Sequence, residues 1–216
     1  VNRYGWSKDR IDTHFQTQET AYLLTLDMIR QLVRDFPECR IVVRPHPFED
    51  LRIYARNLHG VDVRLTQEGP VAAELFQAAA VVQRSCTTGI EAGMASVPAL
   101  SPQWIPAAMP MPSAEAVSVP CDTYDDLCLT LTRILKRSFQ TPGHIASTLA
   151  NILDEWFCGA DGLAHARVAN ALVNSLPKTR RIAEKQCLRF LYGPHKPVGL
   201  AGLGRALRYY GGLSPQ

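Results

Sequence analysis

The sequence predicts an α/β domain: a parallel sheet with helices on both faces, followed by further helices and a basic tail. Three observations predict it. Short apolar runs alternate with segments of helical period between residues 18 and 135, the pattern of strand-helix-strand units. Runs such as Ile41-Val42-Val43 and Ala80-Val81-Val82 carry no polar alternation, as in strands buried on both faces. Two runs lead directly into polar clusters, Arg44-Pro45-His46-Pro47 and Ser85-Cys86-Thr87-Thr88-Gly89-Ile90-Glu91-Ala92-Gly93. The carboxyl edge of an open parallel sheet is where such folds bind ligands.

The elements follow in order. Residues 1–16 are polar and irregular. From Gln18 to Phe36, Leu23, Leu26, Ile29, Leu32, Val33 and Phe36 recur at helical spacing, so an amphipathic helix is expected there. Pro37 ends it. A strand over 40–44 precedes the Pro-His-Pro turn, whose two prolines stop the strand and stiffen the chain. Glu49 and Asp50 suit the positive end of a helix over 49–58. Val61–Leu65 alternates as a short strand. Pro70, well suited to a first helical turn, opens a helix to about Ala78. A strand over 80–83, a helix over 87–95 and a strand over 97–100 come next. Pro102, Pro106, Pro110 and Pro112 make 101–116 a loop. Val117-Ser118-Val119 reads as an edge strand. Asp122 reads as the cap of a helix with stripe Leu127, Leu131, Ile134 and Leu135. Helices near 143–157 and 161–176 finish the body, expected over 17–176.

Composition narrows the class. Of 216 residues, 46% are apolar and 20% charged, as in soluble globular domains. No run approaches the ~18 apolar residues of a membrane span. The chain opens on Val1 with no basic-then-apolar leader, so it reads as a piece of a longer protein whose preceding residues form a partner domain. The six cysteines form no CxxC pair; they read as free thiols in a reducing cytosol, and no metal is expected. Cys86 has no histidine beside it and is a poor candidate nucleophile. His14, His59, His144, His165 and His195 have no partner at metal-ligand spacing and read as surface or helix residues. There is no Gly-x-Gly-x-x-Gly and no Walker loop, and no cofactor is expected.

Charge is divided unevenly. The chain has 23 Lys or Arg and 20 Asp or Glu, of which residues 177–216 hold eight bases and one acid, Glu184. The body before that tail therefore carries 15 bases and 19 acids. With Phe190, Leu191, Tyr192, Tyr209 and Tyr210, the tail suits an anionic membrane face. Packing on another domain, or loose order, is the alternative. Nucleic acid is not expected as a partner: the body is acidic and has no matching motif.

The two clusters carry the chemistry. His46 lies just past a buried strand, where an imidazole can donate to a phosphate oxygen or protonate a leaving phosphate. Arg44 reads either as that phosphate's counter-charge or as the partner of Glu49 or Asp50. Ser85, Thr87 and Thr88 lead into a helix; one of them reads as an ordinary cap, and together they suit an anion. Gly89 permits close approach of a ligand. Glu91 suits the helix's positive end, and its carboxylate can accept from both hydroxyls of a ribose. Trp104 reads as a packed anchor for its proline-rich loop or as a stacking platform.

The order and spacing of Arg44-Pro45-His46-Pro47 and of the segment from Ser85 to Leu100 resemble the C-terminal, Rossmann-like half of GT-B glycosyltransferases. The nearest resemblance is to the bacterial surface carbohydrate (capsular polysaccharide) biosynthesis family, which is similar to capsule Kdo transferases. It covers roughly residues 1–125, and Asn2-Arg3-Tyr4-Gly5-Trp6 resembles the segment joining the two GT-B halves, making 1–16 interdomain. The resemblance implies a nucleotide-sugar donor site, CMP-linked as in CMP-Kdo. His46 and Pro47 would contact phosphate and cytidine, Ser85, Thr87 and Thr88 the phosphate, and Glu91 the ribose. Arg44 and His46 would stabilise the leaving phosphate without a metal. A glycan or glycolipid acceptor would sit on an N-terminal domain absent from this chain. The setting implied is cytoplasmic, at or near the inner membrane face. Ala95-Ser96-Val97-Pro98 stands where many relatives carry a glycine before the proline, and Cys86 where many carry Asn or another small residue. Other readings stay open: a UDP-sugar 2-epimerase-like domain, a polyol-phosphate transferase with a cytidine donor, or a non-catalytic nucleotide-sugar-binding module.

Overall fold

The computed structural model describes residues 5–157, 159 and 161–175. The chain divides into two compact units, Val1–Ala160 and Asp161–Gln216. The expected body over 17–176 spans their junction. The basic tail over 177–216, with Cys187 and His195, lies outside the described residues, as do Asn2, Arg3, Tyr4 and Cys158.

The first unit opens with α1 (Lys8–Asp35), which begins ten residues before the expected start at Gln18. Ser7 caps it, its hydroxyl accepting from the Arg10 N–H at 3.2 Å, and Asp9 sits in the positive first turn. Most of the early positions are exposed, so no apolar stripe marks that part of the helix. Leu26, Met28, Ile29 and Leu32 are buried, while Leu23, expected in the stripe, is 54% exposed.

Five strands and six helices follow: β1 (Val42–Val43), α2 (Leu51–Asn57), β2 (Arg64–Leu65), α3 (Val71–Leu75), β3 (Val81–Val82), α4 (Thr88–Met94), β4 (Ala99–Pro102), α5 (Pro112–Ala116), β5 (Val119–Cys121), α6 (Tyr124–Leu135) and α7 (Gly143–Phe157). Every strand pairing is parallel. The strands form two small sheets, β1-β2 and β3-β4-β5, not one continuous sheet. β4 is central in the second sheet and buried along its whole length, which explains its unbroken apolar-and-small character.

Three expectations shift. The stretch 101–116 is not all loop: β4 runs to Pro102, and α5 forms with Pro112 in its first turn, where proline's missing N–H costs nothing. The last strand lies at 119–121, two residues later than expected. The cap of α6 is Thr123, not Asp122. Thr123 and Asp126 form a reciprocal capping box. In the expected stripe of α6, Leu127 is fully buried but Leu135 is 44% exposed.

One apolar cluster joins Met28 and Leu32 of α1 to Leu100, Ile105, Cys121 and Leu127. A second joins Leu26 and Ile29 to Val43, Tyr54 and Leu58. Ile41 packs against both. α1 thus covers both sheets. A third cluster seats Leu75 and Ala92 on Val97 and Ala99.

The second unit contains α8 (Ala164–Ser175). Asp161 accepts from the Leu163 N–H at 2.9 Å and from Arg167 at 2.8 and 3.0 Å, pinning the start of that helix. Among the described residues no helix is long and apolar enough to cross a membrane.

Leu100 is the central side chain of the three-stranded sheet and is fully buried. Leu100→Ala is expected to cost about 2–5 kcal/mol through lost burial and a residual cavity. Chemical denaturation checks it; a loss below about 1 kcal/mol would show that the surroundings collapse to fill the space.

Candidate functional site

Both polar clusters lie just past the carboxyl ends of strands, the first after β1 and the second after β3. Each is braced by side chains from elsewhere in the unit.

In the first cluster Pro45 is buried and His46, Pro47 and Phe48 are exposed. The His46 N–H donates to Glu49 Oε2 at 2.7 Å, and Tyr54 donates its hydroxyl to Glu49 Oε1 at 2.7 Å. Burial, then the adjacent Glu49 carboxylate, push the Tyr54 phenol upward, so it stays a donor. Gln67 donates its amide to the carbonyls of His46 and Glu49 at 2.8 and 3.0 Å. The turn is therefore tied to α2 below and to the loop after β2 beside it. On the ring, Nδ1 accepts from the Phe48 N–H at 3.2 Å. An accepting Nδ1 puts the proton of the neutral imidazole on Nε2. Phe48, 95% exposed, lies against the ring with centroids 5.1 Å apart.

Arg44 does not pair with Glu49 or Asp50. It donates to the carbonyls of Glu68 at 2.8 Å and Gly69 at 2.5 Å. Its contact with the Gln67 carbonyl is longer, at 3.5 Å. Glu49 is engaged with His46 and Tyr54, and Asp50 caps α2 and pairs with Arg52. The guanidinium thus fastens the loop after β2 to the strand carrying His46.

The second cluster is organised by Glu115 of α5. Its Oε1 accepts from the Ser85 N–H at 2.6 Å, the Ser85 hydroxyl at 2.7 Å and Arg84 at 2.6 Å. Its Oε2 accepts from the Ser101 hydroxyl at 2.6 Å and the Gln103 amide at 3.0 Å. Burial alone would raise this acid, but hydrogen bonds from Ser101, Ser85, Gln103 and Arg84 outweigh it and hold the carboxyl at about 2. Ser85 has φ +53°, a left-handed conformation that costs a non-glycine residue roughly 1–2 kcal/mol. Cys86 donates its N–H to Gln83 Oε1 at 2.7 Å. Gln83 in turn donates to Ser118, whose hydroxyl donates to the Ala114 carbonyl.

These bonds sort the expected site residues. Ser85 is occupied by Glu115. The Thr88 hydroxyl meets Cys86 Sγ at 3.2 Å. Thr87 is exposed at the N-cap of α4, and its hydroxyl makes no cap hydrogen bond. Glu91 is half-buried, and its carboxylate has no hydrogen-bond partner among the described residues. Gly89 is buried, and the close approach it permits is to α5: an added Cβ would sit 3.0 Å from Ser118 Oγ, 3.1 Å from Gln83 Nε2 and 3.3 Å from the Ala114 carbonyl. Trp104 packs on the core edge-on to Tyr124, with centroids 6.4 Å apart, as an anchor for its loop. Among the described residues no bond or ring contact joins the Arg44–Phe48 cluster to the Ser85–Glu91 cluster, and no His, Cys, Asp or Glu side chains converge as a metal site. An open groove of about 360 Å³, lined by Arg40, Asp62 and Arg64 among others, lies at the opposite, amino-terminal end of β1 and β2.

No protein-family model, curated protein or solved structure matches the chain.

Sequence reasoning missed Glu115, Gln67 and Phe48. Glu115 stood in a stretch read as loop. Pro112 three residues earlier was a signal for it, because a proline followed by an acid within the first turn marks a helix start.

Two outcomes follow from this geometry. Gly89→Ala would gain about 1 kcal/mol of helix propensity but overpack three hydrogen-bonded neighbours at about 1–3 kcal/mol. A net loss of thermal stability is expected, and a raised melting temperature would show that α5 can yield. Glu115, ionised in the fold down to about pH 2 and only to about 4.5 when unfolded, stabilises the protein above the higher value. That contribution, on the order of 3 kcal/mol, is lost as pH falls from about 4.5 towards 2. Glu115→Gln should flatten that part of the acid stability curve, and an unchanged slope between wild type and variant would refute it.

Proposed function

We propose that the chain is the donor-binding half of a GT-B-type glycosyltransferase for bacterial surface or capsular polysaccharide, taking a CMP-linked sugar such as CMP-Kdo. The observation that carries the reading is His46. Its backbone is fixed by Glu49 and Gln67, its Nδ1 is engaged by the Phe48 N–H, and its ring is exposed past β1. That leaves Nε2–H as a fixed donor of the kind a phosphate oxygen needs. The parallel strand pairing supports the reading, because this edge is the ligand side of open α/β sheets.

In this reading the groups available to the donor are His46, Pro47, Thr87 and Glu91. Arg44, Ser85, Thr88 and Gly89 hold the loops in place. Phe48 offers a face on which the base stacks. Transfer breaks the bond from the anomeric carbon to the phosphate oxygen, and the electron pair leaves with the phosphate. The acceptor hydroxyl, held on a further domain, forms the new bond and gives its proton to a base on the acceptor side. His46 meets the negative charge growing on the phosphate, a contact that strengthens as the bond breaks. The protein would work in the cytoplasm, with the basic tail resting on the anionic inner membrane face.

The test is a thermal-shift panel of CMP, CDP, UDP, GDP and ADP on wild type, His46→Ala and Phe48→Ala. A ligand at 100 times its Kd raises stability by about 2.7 kcal/mol. CMP and CDP are expected to shift the wild type, and His46→Ala to lose the shift. Both variants should keep the unliganded stability within about 0.5 kcal/mol, since the rings are exposed. Phe48→Ala should weaken CMP by about 1–3 kcal/mol. In the assembled enzyme His46→Ala should slow transfer on the order of 10²–10³-fold. A shift by UDP alone would replace the reading with a UDP-sugar 2-epimerase-like one, and no shift with any nucleotide would remove it.

A further inference from the structure

We infer that Glu115 is the positioning residue of the candidate donor site, a strut that couples the β3–α4 loop to the carboxyl end of β4. The identity of the ligand rests on the donor-site reading above; the strut rests on geometry alone.

The two carboxylate oxygens divide their work. Oε1 takes all three of its donors from the loop: Arg84, the Ser85 N–H and the Ser85 hydroxyl. Oε2 takes both of its donors from the end of β4 and just beyond, Ser101 and Gln103. One side chain therefore ties a loop to a strand that sequence separates by about fifteen residues. No other acid among the described residues accepts from so many groups. The loop end of the strut is the strained residue, Ser85, held left-handed at φ +53°. A serine keeps that conformation only where its surroundings fix it. Here its N–H and hydroxyl both donate to Glu115, and the hydroxyl also accepts from Arg84 at 3.3 Å.

Arg84 adds a second attachment, donating Nε to the Ile105 carbonyl at 2.7 Å. The loop is thus held on both flanks of Ser85, because Cys86 is tied to Gln83. Two residues on stands Thr87, whose hydroxyl makes no cap hydrogen bond, and one helical turn later Glu91. Glu115 makes no hydrogen bond to either. It acts on them through the backbone of Ser85, by setting the direction in which the chain enters α4.

The test compares Glu115→Asp, Glu115→Ala and Ser101→Ala with wild type. Aspartate keeps the charge but is one methylene short, so it cannot span both sides. Ser101→Ala strips one bond from Oε2 and leaves the Ser85 contacts intact. CMP affinity, measured well below the melting temperature, is expected to fall at least tenfold in Glu115→Asp and to stay within about threefold in Ser101→Ala. Per-residue amide exchange supplies a readout that needs no ligand. The Ser85 amide should exchange at least tenfold faster in Glu115→Asp, while the ladder amides of Val81 and Gln83 keep their wild-type rates. If Glu115→Ala fails to fold, Glu115→Asp decides alone. Equal losses of affinity in Glu115→Asp and Ser101→Ala, or a uniform rise of exchange across the unit, would overturn the inference in favour of a purely stabilising role. If wild type binds no CMP, the donor reading falls, and the exchange pattern still decides the strut.

Discussion

The packing of α1 is the constraint on which the rest of the first unit depends. Two neighbouring stripes of one helix serve two sheets. Leu26 and Ile29 seat β1-β2, while Met28 and Leu32 seat β3-β4-β5. At about 100° per residue the stripes lie roughly a third of a turn apart, wide enough to meet two surfaces without a kink. Each sheet alone is small; strands of two to four residues bury little by themselves. Burying both against one rigid helix gives them a common base, and Ile41 closes the seam between them. The carboxyl ends that carry the two polar clusters inherit their positions from this arrangement.

Above that base, polar side chains shape the edge. After β1, Gln67 and Glu49 hold backbone groups of the His46 turn. After β3, Glu115 and Gln83 hold backbone groups of the Ser85 loop. In both places an acid or amide satisfies backbone N–H or C=O groups that a two-residue strand cannot pair. The glycine at 89 belongs to the same construction, because it lets α5 approach close enough for Ser118 and Gln83 to meet. What looks from sequence like a ligand loop is in large part a load of internal hydrogen bonds, with Thr87 and Glu91 left over at its outer side.

Much of the fold was legible because its causes are local. Apolar runs gave the strand positions to within three residues, and Pro37, Asp50 and Pro70 marked helix boundaries, the prolines through their backbone and Asp50 through its capping side chain. The early part of α1 was not legible, since a solvated helix leaves no stripe to read. The division into two sheets was not legible either, because pairing between strands depends on the packing of α1 and not on either strand's sequence. The candidate site divides the same way. His46 follows from its place after a strand. The partners of Arg44 and Ser85 do not, for they come from residues 23 to 30 positions away in the chain.

Arg44 shows what such a partnership leaves behind. Its guanidinium is bound by neutral carbonyls, and no carboxylate among the described residues lies within ion-pair distance of it. Hydrogen bonding to an uncharged acceptor uses directional capacity but cancels no charge. The cation therefore adds its positive field to the edge where His46 stands, set against the Glu49 carboxylate that accepts from the His46 N–H, and both are screened over about 10 Å at ordinary ionic strength. Loss of either charge would therefore shift the field at His46, in opposite directions, and added salt would shrink both changes.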